Sequence, residues 1–188
     1  MRDKFDKMLA FYGAPTLIGI KAGTVISLPQ QYFSDWRELL NEYNRCLECH
    51  CVRITLLKKT EKNILIFIYQ EKCLEKVLKE QMAEGFLHSL GYHPNMGLLD
   101  KIAYLKIRMA TQLDFPHEIG LFLGFPFEDV IGFCHNRGKN YKMNGYWKVY
   151  GDLAAAKRLF NQYTHCSNDF CERLASGEKL LSMLKKVG

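Results

Sequence analysis

No stretch of this sequence approaches the roughly 20 consecutive apolar residues that a bilayer-spanning helix needs. Nothing after Met1 combines a basic start, an apolar middle and a small-residue cleavage site. Both absences predict a cytoplasmic protein without a membrane span. No repeat, low-complexity tract or proline-rich linker interrupts the chain, which contains only 5 prolines, so a solenoid or a linker-rich array is excluded. The expectation is one globular domain over residues 1–188, because a chain of that length that is 48% apolar can bury a core without metals or disulfides.

Several chemical signatures are also missing. Neither GxxxxGK[ST] nor GxGxxG occurs, nor does a serine nucleophile elbow or a metalloprotease helix motif. The excess of Lys and Arg over Asp and Glu is small, a net charge of +6. That permits an anionic ligand or nucleic acid and demands neither. The 7 cysteines are odd in number and scattered through apolar elements, which fits a reducing compartment better than a disulfide framework.

What is present reads as alternating helices and strands. Phe5, Met8, Leu9 and Tyr12 give an amphipathic helix that Gly13 and Pro15 are expected to end. Short strands follow at Thr16–Ile20 and Thr24–Leu28. A helix over Gln31–Cys46 repeats apolar residues near the 3.6 period. Val52–Leu57 and Ile64–Tyr69 are β-branched or aromatic runs around a charged link and read as an antiparallel hairpin. Helices are expected over Glu71–Leu90, closed by Gly91, and over Leu98–Leu113. Beyond Asp152, placed as a cap, come Leu153–Tyr163, Asn168–Ala175 and a short amphipathic piece with Leu180, Leu181 and Leu184 opposite lysines. That last piece is expected to dock on its own domain. The fold expected is α/β or α+β: a single mixed sheet of about five strands with helices packed on it and a helical C-terminal end.

Glycines, aromatics and ionisable side chains are densest in Phe115–Asp152. Glu118–Leu123 is almost wholly apolar and is assigned as a strand covered on both faces. Gly124 breaks it, and Pro126 with Glu128 and Asp129 marks the start of a helix running to about Asn136. The acidic pair at that start argues against a phosphate cradle. Arg137, Gly138, Lys139, Asn140 and Lys142 then form a basic connection to a strand over Tyr146–Tyr150. Period two sets Tyr146, Lys148 and Tyr150 on one face and Trp147 and Val149 on the other.

FPHEIGLFLGFPFEDVIGF, GKNYKMNGYWKVYGD and, near the N-terminus, APTLIGIKAG together resemble an uncharacterised domain-of-unknown-function family of mostly anaerobic Gram-positive bacteria. The likeness spans nearly the whole chain and brings no reaction, cofactor or substrate with it. Relatives often carry a cysteine just before the APTL segment, where this chain has Phe11, Tyr12 and Gly13. The family's association with genes for flavodoxins and ferrous-iron uptake implies an iron or redox setting.

Two constellations are candidates for chemistry. Arg137, Lys139, Asn140, Lys142 and Lys148, interleaved with Tyr146 and Tyr150 and joined by His117 and Glu118, offer cations for an anionic group and aromatic faces for a flat ring. They point to a soluble binding or accessory protein for a small anionic, phosphate-bearing or flat-ring ligand. The same composition fits single-stranded nucleic acid less well, since no recognised module surrounds it. At the start of a strand His117 and Glu118 are expected to point to opposite faces, which argues against one acid–base pair. The other constellation is Cys46, Cys49, His50 and Cys51, whose spacing suits zinc or iron, or thiol redox chemistry, but lacks the second ligand pair of a strong zinc signature. Buried or incidental thiols and an ordinary solvated basic loop are the plain alternatives.

Overall fold

The computed structural model describes residues 1–112 and 115–184. Its architecture is α+β, and the contacts within it gather into two compact units. One comprises Met1–Cys73 with the segment that begins at Tyr163, the other Leu74–Gln162.

The first unit is built on a three-stranded antiparallel sheet, β1 (Gly23–Pro29), β2 (Val52–Lys59) and β3 (Asn63–Gln70), in the order β1-β3-β2. The central strand carries Ile64, Ile66 and Ile68 on one face and Phe67 and Tyr69 on the other, and all five are buried. A central strand covered on both faces is a near-continuous apolar run for this reason. Ile26 pairs with Ile66, which pairs on its other side with Leu56. The register of β2 then slips by one residue between Leu56 and Lys58, as a β-bulge does.

The isoleucine face is packed by Phe5 and Leu9 near the N-terminus, by Leu39, Leu40 and Leu47, and by Phe170 near the C-terminus. The first group belongs to α1 (Arg2–Met8) and the π-helical turn that continues it through Gly13. The second belongs to α3 (Trp36–Leu47). Asn44 of α3 both donates to the carbonyl of Ile54 (2.8 Å) and accepts from its amide (2.7 Å). Two edge groups of β2 that would otherwise need water are thereby satisfied.

The expected strand over Thr16–Ile20 does not form. Gly13 and Pro15 do not end the N-terminal helix. Pro15 occupies the first turn of α2 (Ala14–Leu17), where its missing N–H costs nothing. Gly19, at φ +78°, turns the chain toward β1.

The second unit is mainly helical. The helix expected over Glu71–Leu90 is broken into α4 (Glu71–Leu78) and α5 (Gln81–Ser89). The buried residues explain the break. Leu74 and Leu78 are four apart, as are Ala83 and Leu87, but five residues separate Leu78 from Ala83. One continuous helix would turn the second pair away from the first. Gly91 follows α5 at φ +92°, where a Cβ would stand 2.6 Å from the Tyr104 hydroxyl.

Leu98–Thr111 is α6, and the expected end of that helix at Leu113 lies outside the described residues. Glu118–Leu123 is not a strand: α7 (Ile119–Phe122) is a single helical turn whose four residues are all buried. Short apolar runs do not distinguish a buried strand from a buried helical turn, and here Gly120 and Leu121 bond back to the carbonyls of His117 and Glu118. After α8 (Phe127–Asn136), β4 (Met143–Asn144) and β5 (Lys148–Val149) form their own two-stranded antiparallel sheet. The expected single sheet of about five strands is therefore replaced by two separate sheets of three and two.

The two helices expected after Asp152 are one, α9 (Leu153–Ala175). The Asp152 carboxylate accepts from the amides of Ala154 and Ala155, which also hold it below its ordinary ionisation range. Leu180–Met183 forms a 3-10 turn with Leu180 and Met183 buried, while Lys185 and Lys186 of the expected amphipathic piece lie outside the described residues. Among the described residues no helix is long and apolar enough to cross a membrane.

Candidate functional site

Helix α8 sets the geometry of the second unit's most distinctive surface. Pro126 stands at its N-cap in an extended conformation, which places Glu128 and Asp129 in the first turn, at the positive pole of the helix. Asp129 is nearly fully buried. One carboxylate oxygen accepts from the backbone amides of Tyr150 (2.6 Å) and Gly151 (2.7 Å), and the other from the Trp147 indole (2.6 Å). A buried carboxylate satisfied by three N–H donors is a fastener. It holds β5 and its exit against the start of α8.

The other end of α8 closes with Arg137 in the left-handed region at φ +50° and Gly138 at φ +71°, the Gly138 amide reaching back to Phe133. Asn140, at φ +57°, is the third left-handed residue of this stretch. Its amide side chain reaches Asn136 at 3.4 Å. The chain returns as β4, turns at Gly145 and continues as β5. A Cβ on Gly145 would stand 2.2 Å from the Phe160 ring, so only glycine lets this turn approach α9.

The burial of β5 alternates as period two requires: Trp147 and Val149 are buried, Tyr146 is exposed, and Lys148 and Tyr150 are intermediate. Trp147 stacks on Phe125 at 4.8 Å and receives the edge of Phe160 at 4.5 Å. These contacts leave a hollow of about 380 Å³, within the size range of small-molecule sites. Aromatic walls come from Phe115, Phe125, Phe133, Tyr146 and Trp147, and the charged groups lining it are Asp129 and Lys148, with His117 also on the wall.

The Lys148 ammonium donates to the Gly138 carbonyl at 2.7 Å and lies 5.7 Å from the Phe133 ring centroid and 5.0 Å from that of Tyr141. Two of its three protons remain for another acceptor. His117 is exposed and its ring meets Phe133 edge-on at 5.0 Å.

Of the residues singled out in the sequence, the structure brings His117, Tyr146 and Lys148 to one hollow. The others lie elsewhere. Glu118 is buried in an ion pair with Arg108 and accepts from the Tyr92 hydroxyl at 3.2 Å. Burial, reinforced by that carboxylate, pushes the Tyr92 phenol up. Arg137, Lys139 and Asn140 are exposed on the loop after α8, and the Lys142 ammonium donates to the Gly151 carbonyl at 2.8 Å. Tyr150 packs its ring on Gly132 and has a buried hydroxyl without a hydrogen-bond partner among the described residues.

His117 and Glu118 do point apart, one to solvent and one to the interior. Sequence reasoning missed Phe125, Asp129 and Phe133 as lining residues. The signal available for Asp129 was Trp147, whose buried indole N–H needs an acceptor.

In the first unit Cys46 is exposed in the last turn of α3, and the exposed Cys49 thiol lies 3.7 Å from the Cys46 carbonyl. His50 is buried, and Cys51 reverses the chain at φ +55°. Among the described residues no three His, Cys, Asp or Glu side chains converge on a point where they could hold a metal ion. Burial pushes the Cys166 thiol up to about 11. A concavity of about 640 Å³ in this unit is lined by Arg2, paired with Glu42, by Asp6, which accepts from Tyr43, and by Asp3, Lys7 and Lys179. It is larger than the aromatic hollow, but among its lining residues Tyr43 alone is aromatic.

A family model described as Protein of unknown function (DUF3793) matches residues 9–184, and the chain belongs to that family. No curated protein and no solved structure matches it.

Proposed function

We propose that the protein binds a small ligand consisting of a flat ring and an anionic group, and acts as a binding or accessory protein through the aromatic hollow beside α8. What supports the reading is the meeting of Lys148, His117 and five aromatic rings at one concavity of about 380 Å³. Ring faces and edges receive a planar ligand, the ammonium has protons left for an anion, and the fastened Asp129 keeps the walls in place before any ligand arrives.

The cysteine cluster has less support as a metal or redox centre, because Cys46, Cys49, His50 and Cys51 do not converge with other ligands among the described residues. Nucleic acid has less support too. The exposed Arg137, Lys139 and Lys142 amount to only three cations on one loop, few for a nucleic-acid backbone.

The reading is tested by native mass spectrometry and thermal shift of the purified protein against flavins, nucleotides and bicyclic aromatic acids. At least one flat anion should be retained and raise the melting temperature of the wild type, and Tyr146→Ala, which removes an exposed wall of the hollow, should weaken it. Equal behaviour of wild type and variant toward every compound would refute the assignment.

A further inference from the structure

The charges around the hollow bear on how much negative charge a ligand can carry. Its one ammonium, on Lys148, faces a lining that also contains the buried carboxylate of Asp129. That carboxylate has both oxygens occupied by N–H donors. Those N–H donors are neutral and do not cancel its charge. Lysine and aspartate together therefore sum to about zero, among walls that carry five aromatic rings.

A single carboxylate entering the hollow can take the two protons that Lys148 does not give to Gly138. A phosphate monoester carries about −1.5 to −2 charges at neutral pH. Its second charge would find no second ammonium in the lining, only the His117 imidazole, and would lie in the field of Asp129, where a poorly paired charge is costly. The exposed Arg137 and Lys139 are not among the lining residues and do not neutralise it there.

Building on the assignment of the hollow as a ligand site, we infer that its ligand class is the monoanionic planar acid, an aromatic or heteroaromatic carboxylate, and that phosphorylated compounds are rejected. Lys148 selects for charge and the rings select for shape. Asp129 sets the upper limit on charge.

Three probes that share one ring system separate these contributions: 2-naphthoate, 2-naphthamide and 2-naphthyl phosphate, titrated calorimetrically into the wild type, Lys148→Met and Tyr146→Ala. The wild type should bind the naphthoate about tenfold more tightly than either the amide or the phosphate ester, tenfold being close to the least that one hydrogen bond to a charged group supplies. Lys148→Met should bring the naphthoate and the amide level, while Tyr146→Ala should weaken both by a similar factor. Melting curves of both variants establish that they are folded, and Lys148→Gln serves in place of Lys148→Met if the latter is not.

If the phosphate ester or the amide binds the wild type as well as the naphthoate, and Tyr146→Ala weakens it, the monoanion inference is overturned while the ligand site stands. If no probe binds the folded wild type, or Tyr146→Ala changes nothing, the site itself fails and the inference with it.

Discussion

The Trp147 indole donates to the buried carboxylate of Asp129 at 2.6 Å, and this bond ties the first turn of α8 to the hairpin that forms one wall of the hollow. The same carboxylate also receives the amides of Tyr150 and Gly151. Local structure at a helix start and long-range packing of a strand thus depend on one side chain.

Asp129→Asn should therefore be costly although it is nearly isosteric. The asparagine side chain keeps one acceptor oxygen and presents an NH₂ group to N–H donors that then lack a partner. With a charged, buried acceptor replaced, a loss of about 2–4 kcal/mol is expected in urea denaturation. Unchanged stability would show that the three hydrogen bonds do not hold the hairpin.

Glu118 and Arg108 make a largely buried ion pair, with side-chain exposures of 2% and 16%. Glu118→Gln leaves a guanidinium without its counter-charge and should cost about 3 kcal/mol, the lower end for a broken buried pair because Arg108 retains some solvent. The double variant Glu118→Gln with Arg108→Met should recover part of that loss. A double variant less stable than the single one contradicts this account.

Gly132 lies within α8, where replacing glycine by alanine ordinarily gains about 1 kcal/mol. Here the added Cβ would meet the Tyr150 Cβ and Cγ at 2.5 Å, and the Tyr150 backbone is held by Asp129. Overpacking of about 1–3 kcal/mol should outweigh the helix gain, so Gly132→Ala is expected to melt at a lower temperature than the wild type. A higher melting temperature would mean that the ring of Tyr150 swings aside freely.

Lys21 links pH to stability. Burial lowers its amine from the ordinary 10.5 to about 8, and its ammonium has Thr24 Oγ1 at 3.2 Å. Below pH 8 both the folded and the unfolded chain carry the proton, and the folded state bears the full cost of a buried charge. Between pH 8 and 10.5 the folded chain loses the proton while the unfolded chain keeps it, so stability rises with pH. Measured as wild type minus Lys21→Met, which cancels other groups that titrate in this window, the gain should be about 2–3 kcal/mol. A difference that stays flat from pH 7.5 to 10.5 would contradict the burial of this amine.

Much of the first unit was legible in the sequence because its signals are periodic. The apolar spacing through Trp36, Leu39, Leu40 and Tyr43 gives α3, which starts at Trp36 and not at the expected Gln31, and the β-branched runs give β2 and β3 in the expected antiparallel pairing. Glu118–Leu123 was misread because a short apolar run has no period to distinguish a strand from a buried turn. Pro15 was taken for a terminator although proline also suits a first helical turn.

In the candidate site, composition brought out Tyr146, Lys148 and His117, since a cation among rings is visible in one stretch. Glu118 and Tyr150 have similar chemistry but direct it inward, to Arg108 and onto Gly132. Phe133 and Asp129 contribute through tertiary placement of α8, which no local spacing encodes.

The central claim, that a flat anion enters the hollow beside α8, is tested most directly by the indole N–H resonances of the two tryptophans during a titration with 2-naphthoate, assigned with Trp36→Phe. Trp147 lines the hollow and Trp36 lies in the core of the first unit. The Trp147 signal should move progressively to saturation while that of Trp36 stays fixed. A Trp147 signal that stays in place at saturating ligand, or a shift confined to Trp36, would contradict the account.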